Sequence, residues 1–163
     1  MRSPIWENVL FARRGDREIL RIKILVFLII LVTAAWEDLR IKSIGVRFLG
    51  TAACIGGVFC LAERRSLVEI SLSCGVGFVL LGLSRLTGGG IGEGDGWFFI
   101  VTGLFLSAED NLFLFLAGLG LCFVVSLPLA VKSTITRRKT ALPFIPFLVP
   151  VGTWIALRAV GYF

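Results

Sequence analysis

Six apolar runs take up most of the 163 residues, and they constrain the fold more than any other feature. They are Ile22–Trp36, Val46–Ala62, Leu67–Leu86, Gly96–Leu106, Leu112–Val131 and Ala141–Ala156. With 56% hydrophobic residues and a mean hydropathy of +0.91, the chain exceeds what one water-soluble core can bury. A bilayer-crossing helix needs about 20 residues, within a range of about 17–25. Three runs meet that length, and the other three reach it only if flanking residues extend them. The pattern predicts an all-α membrane protein with about six transmembrane helices and short loops. Residues 24–163 then form one polytopic domain, preceded by a basic, interfacial segment over 1–23.

The N-terminus imitates a signal peptide: basic residues through Lys23, an apolar stretch Ile24–Val32, then Thr33-Ala34-Ala35. Trp36-Glu37-Asp38 is a poor mature N-terminus, and five more apolar runs follow, so the segment reads as an uncleaved span. Pro4–Lys23 suits an amphipathic surface helix with Trp6, Val9 and Leu10 toward lipid.

The absence of histidine narrows the chemistry. Ser-His-Asp and Cys-His nucleophilic systems, histidine bases and HExxH zinc sites all require it. Cys54, Cys60, Cys74 and Cys122 show no CxxC spacing and lie inside apolar runs, so they read as small buried hydrophobes. No metal, cofactor or nucleic-acid partner is expected. Carboxylates, hydroxyls, lysine and arginine remain.

Two carboxylates stand out. Asp95 lies in Thr87–Phe99, TGGGIGEGDGWFF, at the mouth of an apolar run. This glycine-rich stretch fits neither GxxxxGK[ST], since no lysine follows Gly94, nor GxGxxG, since the sixth position from Gly90 is Asp95. A carboxylate in the middle of a span costs roughly 2.5–3.5 kcal/mol, and one near a span invites a functional reading. Asp38 closes the first run. Two intervening runs return the chain to the same side, so Asp38 and Asp95 are able to converge. A converging pair would share a proton, one carboxylate activating water while the other polarises a peptide carbonyl. Read more plainly, the same residues are boundary charges facing water, paired with Arg40 or Arg85.

Gly92-Glu93-Gly94-Asp95 resembles the GxGD motif of intramembrane aspartyl proteases. Together with Asp38-Leu39-Arg40 and the late segment Ala141–Leu148 (ALPFIPFL), ending at Gly152, it resembles the type IV prepilin and preflagellin peptidases. The likeness spans roughly Thr33 to Gly152. It implies a GxGD-type helical bundle with Asp38 and Asp95 catalytic and Gly92 and Gly94 supporting them. It also implies a multi-pass protein of a prokaryotic cytoplasmic membrane. The substrate would be a prepilin-like or preflagellin-like precursor whose short basic leader is cut at the cytoplasmic face. Glu37 and Glu93 are the acidic candidates for binding that leader. Two positions depart from the family: Ile44-Gly45-Val46 replaces Ile-Pro-Asn, and Trp97 stands where lysine is usual. The cysteine-bearing insert of larger members is absent too, which implies cleavage without N-methylation.

Placing both aspartates inside puts Arg40, Lys42, Arg47, Arg85, Lys132 and Arg137-Arg138-Lys139 on the cytoplasmic side, in line with the positive-inside rule. The bases of Met1–Lys23 pull the other way. Helix contacts are expected at Ala53-x-x-x-Gly57 and Gly75-x-Gly77. Pro143, Pro146 and Pro150 would kink or unwind the last span. A non-enzymatic membrane scaffold or a small proton- or cation-coupled transporter would use the same helices and aspartates.

Overall fold

The computed structural model describes the backbone of residues 5–41, 45–88, 92–136 and 143–161, with side chains of 17–41, 45–88, 92–128 and 143–161. Its elements are α1 Ile5–Ile41, α2 Val46–Ala62, α3 Leu67–Ser73, α4 Gly75–Leu86, α5 Glu93–Phe105 and α6 Ala108–Thr136. A 3-10 turn, Ile145–Phe147, then leads into α7 Leu148–Val160. No strand occurs among the described residues.

Local sequence explains where the helices stop. Ser66 accepts the Glu69 N–H at 3.2 Å while the Glu69 carboxylate accepts the Ser66 N–H at 3.1 Å, a capping box that starts α3. Ser107 receives the Asp110 N–H in the same way at the start of α6. Gly161 ends α7 with φ +87°, a left-handed residue best supplied by glycine.

The core forms around α5. Its Gly96, Phe98, Phe99, Val101, Thr102, Gly103 and Phe105 are all buried. Phe27, Leu31, Ala34 and Ala35 of α1 recur at i, i+4, i+7 and i+8, giving one buried stripe. That stripe meets α7, whose Gly152 admits Leu31 and Phe27. Phe99 packs edge-on to Phe98 and Phe115, with ring centroids 5.9 and 5.3 Å away.

The expectation of six crossings is not met. Arg17–Ile41 and Ala108–Pro128 are long and apolar enough to cross a bilayer. A third crossing results if α3 and α4, bent by 49° at Cys74, count as one span. α2 and Ile145–Val160 are apolar but shorter. The fourth run yields only the 13 residues of α5, about 20 Å at 1.5 Å per residue. Its sides are covered by other helices, so its apolarity serves the core. The result, among the described residues, is an all-helical membrane protein with two or three candidate spans.

The expected glycine contacts also shift. Gly77 does press on α5, where an added Cβ would collide with the Ile100 N–H and sit 2.6 Å from the Gly96 carbonyl oxygen. Gly75 and Gly57 have nothing within 4 Å. On α2 the packed face is Ala52 and Gly56, one residue earlier than expected, with Gly56 against Leu104 and Phe105. As expected, the prolines go with an unwound start to the last run, which is irregular and 3-10 before α7 begins. Pro146 lies in the 3-10 turn and Pro150 in the first turn of α7, where a missing N–H breaks no intrahelical bond. Pro143 precedes the turn, and Arg137-Arg138-Lys139 lies outside the described residues.

Candidate active site

Asp38 occupies the last turn of α1, on the face that α1 turns toward the bundle. It is 8% exposed, one of few buried polar side chains. Its Oδ2 accepts the main-chain N–H of Ile145 at 3.0 Å, a contact across 107 residues of sequence. Asp95 occupies the first turn of α5 and is half-buried, its N–H bonded to the Gly92 carbonyl at 3.1 Å. The Asp38 charge reaches Asp95.

Asp95 lies at the mouth of α5, outside the candidate spans. Burial, and secondly the Asp38 charge, push its carboxyl up from 3.8 to about 6. Neither aspartate forms an ion pair with Arg40 or Arg85 among the described residues. The Arg40 guanidinium instead stacks over Trp36, 4.9 Å from the ring centroid.

Gly92 and Gly94 have different surroundings. A Cβ on Gly92 would stand 3.1 Å from Asp95 Oδ2, so glycine there leaves the carboxyl its place. Gly94 has open space above it, with nothing within 4 Å. Glu37 Oε2 accepts the Gly45 N–H at 3.3 Å, tying the end of α1 to the start of α2. Glu93 and Trp97 are exposed beside Asp95.

Of the cysteines, Cys60 and Cys74 are buried, their thiols donating to the carbonyls of Leu104 and Ile100 at 3.3 Å. Cys54 is exposed on α2, contrary to the buried reading.

Sequence reasoning missed two features. The Ile145 N–H carries no letter of its own, although the proline-rich segment around it was singled out. The other is a polar knot at the opposite end of the bundle. Arg65 donates to the Gly103 and Leu104 carbonyls at 3.3 and 3.2 Å and to Ser73 Oγ at 2.6 Å. Asn111 donates to the carbonyls of Ser73 and Phe99 at 2.7 and 3.0 Å and accepts from Thr102. Lys23 pairs with Glu63 at 2.6 Å nearby. These bonds satisfy buried polar groups and fasten α5 and α6 to the α2–α3 turn. An open groove of about 470 Å³ lies at this end, lined in part by Asp110 and Arg158. It is remote from Asp38 and Asp95.

No curated protein and no solved structure matches the chain. The type IV leader peptidase family matches over residues 25–127, which include Asp38, Gly92, Gly94 and Asp95. Such peptidases act on membrane-bound precursors, in keeping with the apolar helices seen here. That match, over more than half of the chain, identifies it as a member of the type IV leader peptidase family.

Proposed function

We propose that this protein is an aspartyl endopeptidase that removes a short basic leader from a prepilin-like or preflagellin-like precursor. Cleavage takes place at the cytoplasmic face of a prokaryotic membrane, without N-methylation. The observation that carries this reading is that Asp38 and Asp95, 57 positions apart in sequence and at the ends of different helices, lie near enough for the charge of Asp38 to help raise the Asp95 carboxyl.

One carboxylate takes a proton from water, and the water oxygen bonds to the scissile carbonyl carbon. The protonated partner donates to the carbonyl oxygen. The tetrahedral adduct then breaks its C–N bond, and the leaving amine takes up a proton. The open face of Gly94 gives an extended substrate backbone room to approach. Glu93 offers the basic leader a negative charge, while Glu37 is already engaged by Gly45. No histidine is present to serve as an alternative base.

The test is purification of the full chain in bilayers with a synthetic precursor: basic leader, glycine, apolar helix. With S-adenosylmethionine supplied, mass spectrometry is expected to find a product starting at the leader boundary with an unmodified N-terminus. A methylated product would remove the non-methylating part of the proposal. An intact precursor, with a family peptidase cutting it in parallel, would remove the whole.

A further inference from the structure

The segment before α7 presents a main-chain donor to Asp38. Pro143 and Pro146 have no N–H to offer. The Phe147 N–H is taken by the Phe144 carbonyl at 3.1 Å, closing the turn. The Ile145 N–H points at Asp38 Oδ2 from 3.0 Å. Its position is fixed by packing. The Ile145 side chain is 1% exposed and Leu148 fully buried, Phe144 lies against Phe99, and Gly118 receives Leu148. Displacing the donor would mean moving core side chains.

We propose that the main-chain N–H of Ile145 is the positioning group of the site, orienting Asp38 so that Oδ1 is the oxygen that takes the proton from water. This rests on the aspartyl-peptidase reading and assigns roles within it. An N–H can only donate, so the oxygen opposite it must accept. A proton on Oδ2 would set two donors against each other. Oδ2 is therefore withdrawn from proton exchange, and the carboxyl plane is fixed with Oδ1 free. The facing titratable group from α5 is Asp95, and the turn and α7 bring no charged side chain before Arg158. Asp38 is thus the base of the pair and Asp95 its acid. The raised carboxyl of Asp95, which holds its proton toward neutrality, agrees with that division.

The test replaces Ile145 by its α-hydroxy analogue in the full chain, by nonsense suppression. The resulting ester keeps the side chain and deletes the N–H. It also weakens the Phe144 carbonyl as acceptor for Phe147, so the same ester at Phe147 is the control, since it deletes that turn bond and leaves the Ile145 N–H in place. On the synthetic precursor, the Ile145 ester is expected to lower kcat about tenfold or more with KM little changed, the size for a hydrogen bond to a charged group. The Phe147 ester is expected to keep the parent kcat. Equal loss from both esters, parent activity in the Ile145 ester, or a rise in KM alone would overturn the proposal. If the ester chain does not fold, hydrogen exchange decides. The Ile145 amide is expected to exchange at least about tenfold faster in Asp38→Ala than in the parent, and at the parent rate in Asp95→Ala. Equal rates in all three would overturn it. Cleavage that survives Asp38→Asn would instead sink the aspartyl reading beneath it.

Discussion

A methyl group at Gly92 would stand 3.1 Å from Asp95 Oδ2, whereas one at Gly94 would meet nothing within 4 Å. Gly92→Ala should therefore move the carboxyl by a few tenths of an ångström and lower kcat, by up to about tenfold, because catalysis is sensitive to the placement of a reacting group. Gly94→Ala should leave the folded protein unchanged and raise KM, since only an approaching substrate meets the new methyl. Steady-state kinetics on the synthetic precursor separates the two; equal effects on both constants in both variants would contradict this. Asp95 also makes stability depend on pH. Its carboxyl titrates near 6 in the folded chain, against 3.8 ordinarily. The fold therefore binds the extra proton between those values, and stability falls as pH rises from about 4 to about 6, then levels. Asp95→Asn should flatten that slope and raise the melting temperature at neutral pH, measured by thermal unfolding in detergent. Asp38 and Asp95 could be singled out as candidates from sequence because a carboxylate beside an apolar run is costly and so noticeable. The Ile145 contact could not, because a main-chain donor is the same in every residue but proline.

At the scale of elements, glycines decide how closely the helices approach. Gly77→Ala would place a methyl against backbone atoms of Ile100 and Gly96, which cannot swing away. It should cost about 1–3 kcal/mol through overpacking, and by shifting the start of α5 it should weaken cleavage too. Gly57→Ala, with no neighbour within 4 Å, should be neutral or slightly stabilising. Thermal unfolding of the two variants side by side is the check, and equal destabilisation would contradict the packing described. Helix type was legible throughout, because long apolar runs with few breaks leave little alternative. Register on α2 was not: Ala52, Ala53, Gly56 and Gly57 give small residues on two adjacent faces, and only the partner α5 selects one. Nor was the number of crossings. Hydropathy treats core and lipid alike, so α5, buried among helices, looked like a span.

Across the whole molecule, two polar layers bound an apolar band. One holds the Lys23–Glu63 pair and the Arg65 knot, the other Asp38 and Asp95. Along α1 the 15 residues from Lys23 to Asp38 span about 22 Å, somewhat less than a typical hydrocarbon core of about 30 Å. The knot clamps one end of α5 while its other end carries Asp95, so the fold holds the second carboxyl from a fixed base. The 3-10 turn does the same for Asp38 from the opposite side. A scaffold would use these layers without needing either carboxyl, which makes the aspartates the point of decision. The measurement to make is mass spectrometry of the precursor N-terminus after incubation with the parent chain, Asp38→Asn and Asp95→Asn, each confirmed folded. The account predicts trimming at the leader boundary by the parent and at least a thousandfold loss in both variants, on the order of removing an acid–base group. Trimming that persists in either variant would contradict the paired-aspartate mechanism.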